Sequence, residues 1–451
     1  MSDAGGANNV MSDAPTTVPA LTAPRRARKL GAAETTTATG LKVIAIRKPG
    51  VPIAEVRLRI PFQSAAATFP AKAALVSSAL LTGAGSYDRA GLAAAIQALG
   101  GDLNVSVDAD RLAITGNVLS NRLRGLLDLL AVVLTEATYV ADEFATERDR
   151  EVERLTIARS RSGTIASERL AERMWGGHPY AHDLPQAEAV AATTPAQARA
   201  VYRDRVRPEG AALVIVGDIS PARVIDQAGQ ALTRWTGDGA KPRIPKLPAP
   251  VPQPLLVVDR PDSVQSSVRM GTSAVTRTDP RYPALQLANL VFGGYFSSRW
   301  TENIREDKGY TYGPHSRIDH HVPGSTLMLD VEVATEVTGP AMLETLYELG
   351  KIASLPITPT ELESVRQYAI GTLALSTATN AGLASTIAAL AAFDLGLDWI
   401  REHPARLSAV TLDEVTEAAR EFLAPSRFTS VVVGDAKQIA QPLSVLGQIE
   451  K

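Results

Sequence analysis

Apolar and polar positions follow two rhythms along this chain, and the changes of rhythm mark its elements. Residues 41–46 and 53–60 are short β-rich runs on either side of the Lys-Pro-Gly-Val-Pro turn at 48–52, which predicts a hairpin. A small-residue helix is expected over 71–81, stopping near Gly83. A second, over 88–99, sets Leu92, Ile96 and Leu99 on one stripe and ends at Gly100 and Gly101. Residues 103–107 and 111–118 alternate like paired strands. Helical periodicity then runs over 121–137, 141–172 (heavily charged) and 194–206. The apolar run 212–216 reads as a buried strand leading into Gly217 and Asp218.

From 237 to 254 the pattern gives way to a proline-rich stretch, which reads as a semi-rigid extended linker. It separates a first domain, 38–236, from a second, 255–451. The second repeats the first. At a constant offset of 217, Thr194, Arg203, Pro208, Val214, Val216, Gly217 and Asp218 fall on Thr411, Arg420, Pro425, Val431, Val433, Gly434 and Asp435. The openings correspond as well, since 255–259 and 265–274 make a hairpin pair like 41–60. Helices over 284–291 and 298–308, strands over 311–319 and 325–333, and long helices over 337–351 and 358–376 complete the second copy, with an apolar helix over 381–397. Strands, then helices, then strands, then long helices predict an α+β fold. It has two homologous domains, each a mainly antiparallel sheet packed by helices.

Composition narrows the function classes. Of 451 residues, 45% are apolar and 21% charged, enough core material for two or three domains. A net charge of −2 argues against coating nucleic acid or docking on an acidic membrane. With no cysteine, disulfides, thiolate zinc sites, iron–sulfur clusters and Cys nucleophiles are excluded. Residues 1–37 are rich in Ala, Thr, Ser, Gly and Pro and read as a disordered tail. The basic run Arg25, Arg26, Arg28 and Lys29 has no apolar stretch after it, so it does not read as a secretory leader. No apolar run is long enough to cross a bilayer without interruption, and the expected location is the cytoplasm.

The densest cluster of special residues lies at 292–313. Gly293 and Gly294 permit close backbone approach. Ser297 or Ser298 caps a helix whose apolar side includes Trp300 and Ile304, and Gly309 ends it. Arg305 falls in the last helical turn and Tyr312 at the expected start of a strand, so the guanidinium and the phenol can meet. Spacing alone favours the plainer reading, a capped helix with a surface Arg and core aromatics. Elsewhere the chemistry is thin. His178 and His182 are four apart, but Gly176, Gly177 and Pro179 disfavour a helix there and no Glu lies between them. His315, His320, His321 and His403 have no evident carboxylate partner, and no P-loop, nucleophile elbow or dinucleotide fingerprint is present.

The stretch G-G-x-F-S-S-R-x-x-x-x-I-R-E-x-x-G-x-x-Y, in the second of two repeated halves, resembles the pitrilysin/insulinase metallopeptidase family. The match is to its short-subunit branch, which is like the mitochondrial processing peptidase. The resemblance spans about 38–440. Catalytic members carry H-x-x-E-H on the first helix after the opening strands, together with a distal Glu. The matching positions here are Ala74, Ser77 and Ser78, and the distal position falls near 154–156, close to Glu151 and Glu153. The resemblance therefore implies no catalytic zinc in this chain. It implies Tyr312 as oxyanion donor, Arg305 as substrate clamp, Gly293, Gly294 and Phe296 at the substrate, and Asn104 on a substrate edge strand. It further implies a heterodimer in which an H-x-x-E-H-bearing homologue holds the zinc and peptides or leader segments are cut. The rival expectation is an inert structural or peptide-binding scaffold of the same fold.

Overall fold

The strand that runs into the repeated Gly-Asp of each half lies inside its sheet. The computed structural model describes residues 30–237 and 244–451. The first half contains β1 (Gly31–Thr36), β2 (Lys42–Arg47), β3 (Ile53–Pro61), the short β4 (Gly83–Ala84) and β5 (Tyr87–Asp88), β6 (Asp102–Val107), β7 (Arg111–Leu119) and β8 (Ala212–Gly217). β4 and β5 pair with each other, and the rest form a six-stranded sheet in the order β1-β2-β8-β3-β7-β6. The second half contains β9 (Leu255–Asp259), β10 (Gln265–Ala274), β11 (His315–His321), β12 (Gly324–Ala334), β13 (Thr429–Gly434) and β14 (Ile449–Glu450). Their order is β11-β12-β10-β13-β9-β14.

Both sheets are mainly antiparallel, as the α+β reading requires, with parallel pairs β2–β8 and β13–β9 and, at one edge of the second sheet, β9–β14. The expected hairpins at 41–60 and 255–274 do not form. β8 lies between β2 and β3, parallel to one and antiparallel to the other, and β13 divides β9 from β10 in the same way. The reason is burial: all six residues of β8 and all six of β13 are buried, and a strand with two apolar faces is stable only at the centre of a sheet covered on both sides. Alternation marks strand character without naming the partner.

The expected tail is also too long. Residues 31–36 are β1, pairing from Gly31↔Arg47 to Thr36↔Lys42, although the strand is mostly exposed. Its ladder to β2, rather than an apolar pattern, holds it, which is why composition alone read it as tail. The first 29 residues lie outside the described ones, as do 238–243 of the proline-rich stretch. Residues 244–254 have no helix or strand, but they are tied down: Leu247 N–H donates to Pro323 O at 3.3 Å and Arg173 Nη2 to Pro254 O at 2.7 Å.

Each sheet packs its own helices on one face and a helix from the other half on the opposite face. The expected 141–172 helix is two helices, Ala141–Arg159 and Ser162–Trp175, broken at 160–161. The second helix crosses to β10 and β13, where Ala166, Leu170 and Met174 pack on Val431 and Val433. Helix Asn380–Ala391 makes the reciprocal crossing onto β3 and β8, and Arg57 Nε donates to Ser385 Oγ at 3.0 Å. Leu213 and Ile215 belong to the first half's own core. With period-two alternation, buried Val214 and Val216 therefore face the incoming helix. Shifting 162–175 by the repeat offset lands on 379–392, so the exchange is itself repeated.

Candidate functional site

The 292–313 stretch folds around an interior anchor. Trp300 and Ile304 are fully buried, Trp300 stacks on Phe292 at 5.3 Å, and its Nε1 donates to Thr345 Oγ1 at 3.0 Å. Ser298 is the cap: its Oγ accepts the Thr301 N–H at 3.4 Å. The expected helix over 298–308 is a single α-turn, Arg299–Thr301, continued by a π-helical turn, Glu302–Asp307. Gly309, at φ +65°, ends it. Arg299 is committed to structure, since its Nε and Nη2 reach the two oxygens of Glu361 at 2.6 and 2.8 Å. Burial raises the Glu361 pKa, but the Arg299 pair and the Thr358 hydrogen bonds outweigh it and bring the carboxyl down to about 2.

Gly293 and Gly294 do not face open space. A Cβ on Gly293 would stand 2.8 Å from Trp300 Cε3 and 3.1 Å from Ser316 Cβ, and one on Gly294 2.9 Å from Asn289 Nδ2. The close approach they allow is internal, between a second π-helical turn (Leu290–Gly294) and its neighbours, rather than to a visiting backbone. Residues 310–314 are not strand, and β11 begins only at His315. Thr311 Oγ1 donates to Glu332 O at 2.6 Å and Tyr310 N–H to Ile304 O at 2.8 Å, so the start of the loop is fastened.

That loop brings three of the expected residues together. The Arg305 guanidinium lies 4.3 Å from the Phe296 ring centre and 5.4 Å from that of Tyr312. Phe296 is 62% exposed and Tyr312 91%, and neither is part of the core. The Arg305 carboxylate partner is Glu306, at 3.3 Å. A cation held between two exposed rings is desolvated on its flanks and open at its edge, a surface suited to hydrogen-bonding a carbonyl.

The other expected residues belong to a different surface. Ala74, Ser77 and Ser78 lie on helix Phe69–Ala79 and line a cavity of about 600 Å³, together with Val105 and Val107 of the open edge strand β6, Glu151 and Arg154. Asn104 is on the same strand, exposed, with its Nδ2 3.4 Å from Asp102 Oδ2. None of Phe296, Arg305 and Tyr312 lines that cavity.

Comparison with known proteins decides the family. The model for the insulinase peptidase family M16 matches residues 42–188, and that for the M16 inactive domain matches 192–368. The chain belongs to the insulinase family, M16. An uncharacterized zinc protease of Mycobacterium tuberculosis is 25% identical to it over 426 residues, covering 91% of this chain and 96% of the relative. A probable inactive metalloprotease of Bacillus subtilis is 28% identical over 207 residues, 44% of this chain and 46% of the relative. The structure described as a peptidase M16 inactive domain from Pseudomonas fluorescens superposes with a TM-score of 0.83 at 24% identity, covering 90% of this chain and 98% of that one.

The M16 zinc ion does not fit the residues of this chain. Where two imidazoles and a carboxylate base are needed, the cavity offers a methyl group at Ala74 and hydroxyls at Ser77 and Ser78. Of the carboxylates that line the cavity, Glu151 takes Arg154 in a two-pronged ion pair at 2.5 and 2.7 Å. Among the described residues, no group of three or more His, Cys, Asp or Glu is placed to hold a metal. His178 Nε2 is 3.0 Å from Pro245 O, which fixes it to the 244–254 stretch.

Proposed function

We propose that this M16 chain is the zinc-less subunit of a composite peptidase, in which a homologous H-x-x-E-H subunit supplies the hydrolytic metal centre. The observation that carries this reading is the Arg305–Tyr312 pair, assembled and exposed on one half, beside an emptied motif on the other. Three buried anchors, at Trp300, Ile304 and Gly293, hold a turn whose outward side chains contribute little to the core. In the composite site, Tyr312 O–H donates to the scissile carbonyl oxygen and to the oxyanion that develops on it. Arg305 holds a neighbouring substrate carbonyl in register, and Phe296 fixes the guanidinium plane. The turn shaped by Gly293 and Gly294 is the wall behind the substrate. Asn104 marks the open strand edge of the first half as a peptide-facing surface. The substrates are peptides or unfolded leader segments, handled in the cytoplasm, with no nucleic acid or membrane involved.

The test is to purify the chain alone and with an H-x-x-E-H homologue encoded beside it, and to follow hydrolysis of a quenched fluorescent peptide. Activity is expected only in the complex. Tyr312→Phe should lower kcat by about 10²–10³, or ~3–4 kcal/mol of barrier, the usual effect of losing one oxyanion donor. Hydrolysis by this chain alone, or an undiminished rate with both Tyr312→Phe and Arg305→Ala, would sink the reading. The emptied cavity favours an inert scaffold as the second reading; a complex that assembles but is indifferent to both substitutions would support that instead.

A further inference from the structure

The π-helical turn that carries Arg305 has a second anchored face. Asn303 and Arg305 are two residues apart, with fully buried Ile304 between them, and they point to opposite sides. Arg305 reaches the two aromatic rings, whereas Asn303 Nδ2 donates to Glu344 Oε2 and to Glu348 Oε1, both at 2.9 Å, on helix Thr338–Ser354. Glu348 is 2% exposed. Its remaining oxygen, Oε2, is buried without a partner, and so is Asn303 Oδ1. Lys351 Nζ is 3.4 Å from Glu348 Oε1, and Lys308 Nζ is 3.9 Å from Glu344. A buried carboxylate that lacks a full set of donors is costly, so the one amide shared between two glutamates has a strong hold on the backbone that bears it.

The backbone at this point has an alternative. The Lys308 N–H donates to Asn303 O five residues back, at 3.1 Å, where an ordinary α-turn would use four. A π-turn accommodates one extra residue and persists only where its surroundings hold it. Relaxation to α-helical register would rotate the following side chains by about 100°, one residue step of a helix. Arg305 would then leave the space between Phe296 and Tyr312.

We propose that Asn303 is a positioning residue: bridging Glu344 and Glu348, it locks the π-turn in the register that holds Arg305 against Tyr312. The consequence for peptide hydrolysis rests on the composite-site reading, but the positioning itself does not. The experiment therefore reads Tyr312 directly. The chain carries 3-fluorotyrosine at position 312 alone, and its ¹⁹F resonance is recorded without any partner. Arg305→Ala sets the scale, because it removes the cation from the ring. Asn303→Ala is expected to displace the resonance in the same direction by more than half as much. The double variant should add nothing to Arg305→Ala. Glu344→Ala, which leaves the buried Glu348 contact in place, is expected to give a smaller displacement of the same sign and serves if Asn303→Ala does not fold. Asn303→Asp combined with Glu344→Gln and Glu348→Gln reverses donor and acceptor across the same contacts and should restore the parent resonance, which a general loss of stability would not do. A resonance unmoved by Asn303→Ala and Glu344→Ala, or unmoved by Arg305→Ala itself, overturns the proposal. Failure of the composite-site reading would show instead as absent peptidase activity with the resonance shifts intact.

Discussion

At the scale of single residues, the site is a set of exposed groups held by buried ones. Gly293 illustrates the dependence. Its missing Cβ makes room for the Trp300 indole, so Gly293→Ala should overpack the anchor and cost about 1–3 kcal/mol in urea unfolding. A variant as stable as the parent would show that Trp300 can shift, and that the glycine is needed for something else. Trp300, Ile304, the Ser298 cap and the Gly309 stop were legible in the sequence because each follows a local rule. The inward role of Gly293 and Gly294 was not, since nothing local tells which side of a glycine another group approaches. Asn303 was invisible for the same reason: its partners, Glu344 and Glu348, are about 40 residues away along the chain.

At the scale of elements, the exchanged helices join the two halves. Leu170 and Ile387 are both fully buried, one under each sheet. Leu170→Ala and Ile387→Ala should each cost about 2–5 kcal/mol in urea unfolding, the usual range for truncating a buried aliphatic side chain. A negligible loss from either would mean that its sheet face is covered by something else. The repeat offset contained this information in part. Val214 and Val216 recur as Val431 and Val433, and these are the residues on which the exchanged helices rest. What the sequence did not reveal was which helix covers which sheet. The apolar face of helix Ser162–Trp175, with Ala166, Leu170 and Met174, carries no local mark of the sheet it packs on. The hairpins misread at 41–60 and 255–274 are a related failure, because strand order depends on long-range burial of β8 and β13.

At the scale of the whole chain, a half-buried carboxylate on the turn between β6 and β7 ties the halves together. Asp110 accepts from Gln63 Nε2 at 2.9 Å and from the Tyr180 hydroxyl in the first half, and from the Val322 N–H at 3.2 Å in the second, with His321 Nδ1 3.7 Å away. Burial raises its pKa, but the His321 and Tyr180 contacts outweigh burial and leave it below the ordinary aspartate value. A depressed carboxyl stabilises the fold above the unfolded-state pKa of about 3.9 and loses that contribution as pH falls. Urea unfolding between pH 3 and 7 should therefore show an acid limb that Asp110→Asn flattens, with about 1–3 kcal/mol lost at pH 7. An unchanged acid limb would remove Asp110 from the junction. Cutting an engineered protease site between Ala249 and Pro250 tests the junction without touching it. The two fragments should still elute together in size-exclusion chromatography, and separation would show that the covalent connection is essential.

The exchange of helices also sets an order of events on the ribosome. β8 is complete at Gly217, but the helix that covers its second face begins at Asn380, roughly 160 residues later. At about 5–20 residues per second, the first sheet waits ~10–30 s with Val214 and Val216 uncovered. The second half has no such delay, because helix Ser162–Trp175 is already made when β10 and β13 emerge. During that interval β8 and the apolar face of helix Ser162–Trp175, which awaits β13, are both uncovered, and this should be the stage at which chaperone capture is strongest.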